Sequence, residues 1–107
     1  MPLYLGRFSY THEAIKALIN NPQDRSKAAG EAVESLGGKL IGFWYAFGEF
    51  DGAFLMEAPD NATAVALAMV IAGGGALSKV ETTVLLSMEE AQQAMRKAAD
   101  ATYQPPS

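Results

Sequence analysis

The chain has 107 residues, half of them apolar and none of them cysteine, and carries a formal net charge of −4. This length is typical of one domain, and the apolar content suffices for a core without disulfides or thiolate zinc sites. The lack of a Lys/Arg cluster argues against a nucleic-acid partner, which would require a basic surface. With one His and no Cys, we expect no metal site and no cofactor.

The sequence also argues against membrane insertion and secretion. The N-terminus lacks a basic segment followed by an apolar run, so a secretory signal is not expected. The longest apolar stretch, residues 62–77, falls short of the roughly 20 residues that span a bilayer. We therefore expect a cytoplasmic protein without a membrane partner.

The first half of the chain predicts a strand followed by two helical segments. Residues 3–10 are rich in Leu, Tyr and Phe, as strands are. Thr11 can cap a helix that begins at His12, and an Asn-Pro pair at 21–22 can begin a second helix. The apolar stripe of the second helix consists of Ala28, Ala29, Ala32, Val33 and Leu36. A Gly-Gly pair at 37–38 ends it, because glycine readily adopts the left-handed cap conformation.

The second half of the chain predicts a hairpin, a helix, a strand and a last helix. In chain order we expect strands at 39–47 and 50–58, a helix at 61–72, a strand at 77–86 and a helix that begins at residue 88. Asp60 can cap the helix at 61–72. Ser87 and Glu90 can form a capping box for the last helix.

The order β-α-β-β-α-β, followed by an extra C-terminal helix, predicts an α+β ferredoxin-like antiparallel sheet. Right-handed crossovers place both main helices on one face of this sheet and leave the other face, called the bare face below, uncovered. We predict one domain over residues 1–107, with a core at 3–88, a C-terminal helix at 89–103 and a loose tail at 104–107.

Apolar residues on both sides of the central strands predict a homo-oligomer. In the second strand Ile41, Phe43, Tyr45 and Phe47 point one way and Leu40, Trp44 and Ala46 the other; in the third strand Phe50, Phe54 and Met56 oppose Ala53 and Leu55. The helix at 61–72 is apolar all round, as expected of a helix buried on two sides. Because monomers rarely expose such patches, we predict a dimer or larger, with the C-terminal helix as the competing cover.

A few polar residues predict a ligand site on the bare face. Arg7, Ser9, Asp51, Glu81 and Thr83 share one strand parity with Trp44 and Leu55, and we expect Leu40, Ala53 and Leu85 on the same side. Apolar walls with a few polar groups are typical of small-molecule pockets, so we expect a cavity here, partly closed by a second subunit. The alternative is that the polar residues form interface ion pairs or lie near solvent.

His12, the only histidine, could act as a general base or ligand contact near neutral pH. Its place at the start of a helix, without a carboxylate to orient it, favours a structural role. The glycines at 73–75 could suggest a phosphate loop. They follow a helix, and no Gly-Lys-Ser/Thr follows them, so they predict a helix end.

Three segments resemble the GYD-domain family, small bacterial and archaeal proteins named for a Gly-Tyr-Asp signature. They are residues 22–40, where Leu-Gly-Gly-Lys-Leu resembles the family's helix-to-strand junction, residues 43–51, and residues 57–60 with the Ala-rich helix that follows. The signature here is Gly48-Glu49-Phe50-Asp51, with Phe where the family name has Tyr. The resemblance implies a ferredoxin-like fold of the dimeric α/β-barrel type and no particular activity.

The signature has two interpretations. Gly48 permits unusual turn angles and Asp51 can accept backbone N–H bonds, so turn chemistry is the interpretation we favour. Alternatively, Glu49 or Asp51 anchors a ligand at the mouth of a cleft.

For the whole protein we consider three functions. The first is an oligomeric domain whose sheet face holds a small apolar or amphipathic ligand. The second is a cofactor-independent enzyme, monooxygenase-like or lyase-like, as other dimeric α/β barrels are. The third is a regulatory subunit that senses a small molecule.

Overall fold

The computed structural model describes residues 1–107, which form a four-stranded antiparallel sheet and four helices. The strands are β1 (Leu3–Tyr10), β2 (Lys39–Tyr45), β3 (Gly52–Glu57) and β4 (Leu77–Leu85); the helices are α1 (His12–Asn20), α2 (Ser26–Ser35), α3 (Asn61–Gly73) and α4 (Met88–Ala99). The strand order is β2-β3-β1-β4, and every neighbouring pair is antiparallel. The predicted ferredoxin-like α+β fold is confirmed.

The core lies between one face of the sheet and the helices α2 and α3. It consists of Tyr4, Phe8, Phe54, Met56 and Ala58 from the sheet side, with Val33 from α2 and Ala64 and Leu67 from α3. α2 packs beside β2 and α3 beside β4, so the two helices cover opposite edges of the same face. Tyr4 is almost completely buried, and its phenol donates a hydrogen bond to Asn61 Oδ1 at 2.6 Å.

Two glycines on the core face make room for aromatic rings. Gly6 lies opposite Phe54 in the β1–β3 register, and Gly52 lies opposite Phe8. A Cβ atom on either glycine would overlap the ring of its partner. These reciprocal glycine–aromatic pairs allow two large rings to lie across the centre of the sheet.

Three predicted helix caps are confirmed. Thr11 accepts a hydrogen bond from the N–H of Ala14, and Asp60 accepts one from the N–H of Thr63. The capping box at the start of α4 is complete in both directions. Each of these caps joins residues three apart, so local sequence suffices to predict them.

The predicted start of the second helix is wrong. α2 begins at Ser26 rather than after the Asn-Pro pair at 21–22, and Arg25 holds its cap position without a side-chain cap bond. Asp24 instead accepts a hydrogen bond from the N–H of Ser26. The end of α2 is as predicted: Gly37 has a φ of 84°, and the N–H of Gly38 donates to the carbonyl of Val33.

The hairpin strands are shorter and less regular than predicted. β2 ends at Tyr45 and β3 begins at Gly52, so residues 46–51 form a connection rather than strand. The β2–β3 register shifts between Leu40 and Gly42. This bulge places Leu40 opposite Met56 and against the core, so the prediction that Leu40 shares the bare face is wrong. One extra residue in a strand reverses the side on which the residues before it lie.

α4 does not cover the bare face. All of its residues are exposed except Ala91, which is half-buried, and it packs along no strand. The chain has a radius of gyration of 17.3 Å and a longest dimension of 58 Å, whereas a compact chain of this length would have a radius near 13 Å. The C-terminal helix therefore projects from the body. None of the four helices combines the length and the apolar character needed to cross a membrane.

Candidate functional site

A cavity of about 320 Å³ lies between the sheet and the helices α2 and α3. Its floor is aromatic, formed by Phe8, Phe43 and Phe54; Ala28, Ala29, Ala32 and Val33 of α2 form one wall, and Leu67, Val70 and Ile71 of α3 form the other. Its volume falls within the usual range of small-molecule sites. Protein interiors are otherwise packed as densely as organic crystals, so an opening of this size needs a physical cause.

The alanine stripe of α2 is that cause. Ala28, Ala29 and Ala32 all line the cavity, and their methyl groups occupy less of the space above the aromatic floor than larger side chains would. The opposite wall is contributed by larger side chains of α3, but that helix packs on the other edge of the sheet. The space between the two helices is therefore left unfilled.

The cavity has a polar end. The hydroxyl oxygens of Tyr10 and Tyr45 lie 3.0 Å apart, and Tyr10 lines the cavity. Burial, together with the hydrogen bond to Tyr45, raises the pKa of Tyr10, so this phenol stays protonated at neutral pH. Arg25 is the one charged side chain of the lining; its Nη1 donates to Gln23 Oε1 at 3.0 Å.

The cavity lies on the face opposite to the one on which we expected it. None of the six residues that we predicted to bind a ligand lines it; they are Arg7, Ser9, His12, Trp44, Asp51 and Thr83. The register places Arg7 and Trp44 opposite Ala53, and Thr83 opposite Leu5, so these three do share the bare face. Ser9 lies opposite Lys79, on the same side of β1 as Arg7, while His12 is exposed at the start of α1.

Polar groups of the bare face are paired with one another around Phe50. The Arg7 guanidinium carbon lies 4.8 Å from the centre of the Phe50 ring, and Lys79 Nζ lies 4.6 Å from it. Arg7 donates to Glu81 Oε1 at 2.6 Å, and Lys79 lies 3.4 Å from Glu49 Oε1. Phe50 is only 6% exposed between these cations.

The prediction that Phe50 points the same way as Phe54 is therefore wrong. β3 begins only at Gly52, so Phe50 belongs to the preceding connection and strand alternation does not apply to it. Its ring turns instead towards the cations of the bare face, where cation–π attraction favours it.

The family model of the GYD domain matches residues 4–95 of this chain. The chain belongs to the GYD-domain family. Two solved structures are similar to it, both from Burkholderia xenovorans. An uncharacterized NIPSNAP domain protein shares 14% identity with a TM-score of 0.46, over 81% of this chain and 94% of that chain. An uncharacterized NIPSNAP-like domain protein shares 13% identity with a TM-score of 0.49, over 98% of this chain and 91% of that chain. No curated protein matches the chain significantly.

The signature of this GYD-domain protein joins the β2–β3 connection to β1 and β4. Asp51 Oδ2 accepts the N–H of Tyr10 at 2.8 Å, and the N–H of Asp51 donates to the carbonyl of Phe8 at 2.8 Å. Asp51 thus accepts a backbone N–H, as the turn interpretation requires, although its partner lies in β1 rather than within the hairpin. Gly48 does not have a left-handed φ, so the connection does not use the unusual turn angles that this glycine permits. Glu49 adds the ion pair with Lys79 of β4.

The sequence patterns did not identify Arg25 or Tyr10 as ligand-site residues, although both line the cavity. The signal that could have identified the cavity is the composition of the α2 stripe, because three alanines facing a sheet rich in Phe leave space between helix and sheet. No three or more of the His, Asp and Glu residues lie close enough together to hold a metal ion.

Proposed function

We propose that this GYD-domain protein binds a small apolar molecule in the cavity between the sheet and the helices α2 and α3. The single observation that carries the proposal is an open space of about 320 Å³ with apolar walls. At about 30 Å³ per atom, the share of a water molecule in the liquid, this space admits on the order of ten non-hydrogen atoms. Covering such walls with an apolar ligand releases roughly 25 cal/mol for each Å² removed from water.

An enzymatic function is the second candidate, of the cofactor-independent monooxygenase-like or lyase-like kind. One observation favours it: Tyr10 lines the cavity, and its hydroxyl could donate a hydrogen bond, or a proton, to a bound substrate. The raised pKa of Tyr10 makes this phenol a weak acid, however, and general acids work best with a pKa near the working pH. Ligand binding is therefore the better supported function.

The test fills the cavity and measures binding of neutral probes. Naphthalene and 1-octanol should bind to the purified protein in calorimetric titrations, and the double substitution Ala29→Leu with Ala32→Leu should abolish this binding. Both alanines line the cavity, so leucine would extend into the ligand space. Ala17→Leu on the exposed side of α1 is the matched control and should bind the probes normally. Equal binding by the filled variant and the control would refute a site between the helices and the sheet.

We also propose that a second copy of the chain covers the bare face. Trp44 is 55% exposed and Leu3 is 37% exposed on this face, and α4 leaves both uncovered. Four charges of the face form two ion pairs, Arg7 with Glu81 and Lys79 with Glu49. Lys39 and Glu57, which lie opposite each other in the β2–β3 register, add one further charge of each sign. A face whose charges already neutralise one another can meet its own copy without like-charge repulsion.

The projecting α4 supports a second copy as the partner. Its first turn is acidic, with Glu89 and Glu90, and its last turn is basic, with Arg96 and Lys97. Two such helices packed antiparallel would bring opposite charges together. The ligand site that we predicted on the bare face stays a prediction; the observation in its favour is Nε of Arg7, which is buried without a hydrogen-bond partner.

A further inference from the structure

We propose that the ligand of this cavity carries an anionic head group, a carboxylate, which Arg25 and the hydroxyls of Tyr10 and Tyr45 bind at the polar end. The inference rests on the proposed function and names its ligand class: an apolar molecule of about the cavity's size with one carboxylate at its end. Three observations carry it, namely an unpaired guanidinium, a spare phenolic proton, and a lining free of negative charge.

Arg25 has donors to spare. The two ion pairs of the protein join Arg7 to Glu81 and Lys79 to Glu49, and Arg25 takes part in neither. Its one hydrogen bond runs from Nη1 to the neutral amide of Gln23. A guanidinium presents several N–H groups in a planar fork that matches the two oxygens of a carboxylate. A carboxylate at the cavity mouth would meet this fork without displacing another anion.

The tyrosine pair supplies a further donor. The two hydroxyls lie 3.0 Å apart and make one hydrogen bond, in which either can be the donor. Two hydroxyl groups carry two protons, and a single bond between them uses one. The other O–H is free to donate to a ligand oxygen. Because Tyr10 remains protonated at neutral pH, it meets an anion as a neutral donor rather than as a repelling phenolate.

Negative side chains close to this end are already engaged elsewhere. Asp24 accepts the N–H of Ser26, and Asp51 accepts the N–H of Tyr10. Neither carboxylate lines the cavity, and neither lies within ion-pair distance of Arg25. An anionic head group would therefore enter a site whose only lining charge is positive, whereas a cationic head group would face that charge.

The experiment compares three probes that share one eight-carbon tail. Octanoate, 1-octanol and octylammonium are titrated into the purified full chain, each probe being about the size that the cavity admits, on the order of ten non-hydrogen atoms. We expect octanoate to bind about tenfold more tightly than 1-octanol, because one charge-assisted hydrogen bond contributes about that much to the affinity. Octylammonium should bind more weakly than either.

Variants of the polar end identify the groups responsible. Arg25→Gln should remove the advantage of octanoate over 1-octanol. Lys27→Gln is the matched control, because it removes the same charge from an exposed position of α2 that does not line the cavity. Tyr10→Phe should lower the octanoate affinity severalfold and the 1-octanol affinity by a smaller factor, because the hydroxyl of 1-octanol is an uncharged acceptor.

The outcomes separate this inference from the proposed function. Equal binding of octanoate and 1-octanol, or no effect of Arg25→Gln on octanoate, would overturn the anionic head group while leaving an apolar ligand site intact. Failure of all three probes and of naphthalene to bind would overturn the proposed function itself. Tight binding of octanoate that Lys27→Gln weakens as much as Arg25→Gln would show general charge attraction and would also overturn the inference.

Discussion

The side chain of Asp51 attaches the β2–β3 connection to β1 through a hydrogen bond. Its carboxylate accepts the N–H of Tyr10 where the β1–β4 register shifts between Ser9 and Tyr10. Asp51→Ala would leave this partly buried N–H without a partner. We expect the free energy of unfolding to fall by about 1–3 kcal/mol, measured by chemical denaturation.

Asp51→Asn is the control for this substitution. Its amide oxygen can still accept the N–H of Tyr10, so we expect a smaller loss of stability than for Asp51→Ala. A ligand anchor would behave differently, since its loss would weaken binding and leave stability unchanged. An unaltered denaturation midpoint for Asp51→Ala would thus contradict the structural role of this carboxylate.

The second prediction about a single residue concerns Gly6 and the stability of the fold. A methyl group at this position would overlap the buried ring of Phe54, which would have to leave its packed position and move towards the cavity whose floor it forms. We expect Gly6→Ala to lower the free energy of unfolding by about 1–3 kcal/mol, as overpacking does. Thermal or chemical melts measure the loss.

Gly48 provides the matched control for Gly6. A Cβ atom there meets nothing within 4 Å, and its φ is not in the left-handed region. Gly48→Ala should therefore change stability by no more than about 0.5 kcal/mol. Adding Phe54→Leu to Gly6→Ala should relieve the overlap, so the two substitutions together should cost less than the sum of their separate losses.

At the scale of elements, α4 differs from the other helices because it lacks a packing partner within the chain. It has a complete capping box and 12 residues, yet isolated helices of this length are only marginally stable in water. We expect the amides of α4 to exchange with solvent far faster than those of α3 in dilute solution. Hydrogen exchange followed by mass spectrometry or NMR measures both helices together.

The same experiment at higher protein concentration tests what α4 packs on. If a second copy binds α4, protection of its amides should rise with concentration while that of α3 changes little. Protection of α4 that is strong already at high dilution, and independent of concentration, would show that the helix folds back onto its own chain. The charge pattern of the helix would then reflect only its own dipole.

For the whole molecule, the distribution of apolar residues predicts self-association. The chain buries few large side chains completely and exposes apolar ones on the bare face, on the outer side of α3 and along α4, among them Trp44, Val65, Met69 and Met95. Monomeric proteins rarely leave such extensive patches in water. We expect light scattering at micromolar concentration to show a species heavier than the 11.4 kDa of one chain.

Trp44→Lys tests whether the bare face forms the contact. Because Trp44 is exposed in the single chain, a lysine there should leave the fold intact, as circular dichroism can verify, and should shift the assembly towards the monomer. Tyr103→Lys, an exposed aromatic residue of the C-terminal tail, is the matched control. A clean 11.4 kDa species for the unmodified protein would refute the assembly.

Features that depend on neighbours along the chain could be predicted from the sequence. The caps at Thr11, Asp60 and Ser87 join residues three apart. The order of strands and helices follows from periodicity within each segment, and the ferredoxin-like arrangement follows from that order and from the handedness of crossovers. The resemblance to the GYD-domain family rests on short motifs of the same local kind.

The faces that Leu40 and Phe50 occupy, and the position of the open space, could not be predicted from strand alternation. The bulge between Leu40 and Gly42 reverses strand alternation, and Phe50 leaves the core side for two cations that are distant in sequence. The cavity depends on the distance between α2 and the sheet. Its lining includes Tyr10 and Arg25 from two separate segments, and Tyr45 from a third is hydrogen-bonded to Tyr10. Such contacts between remote segments follow from how the helices pack on the sheet, which periodicity and local motifs do not specify.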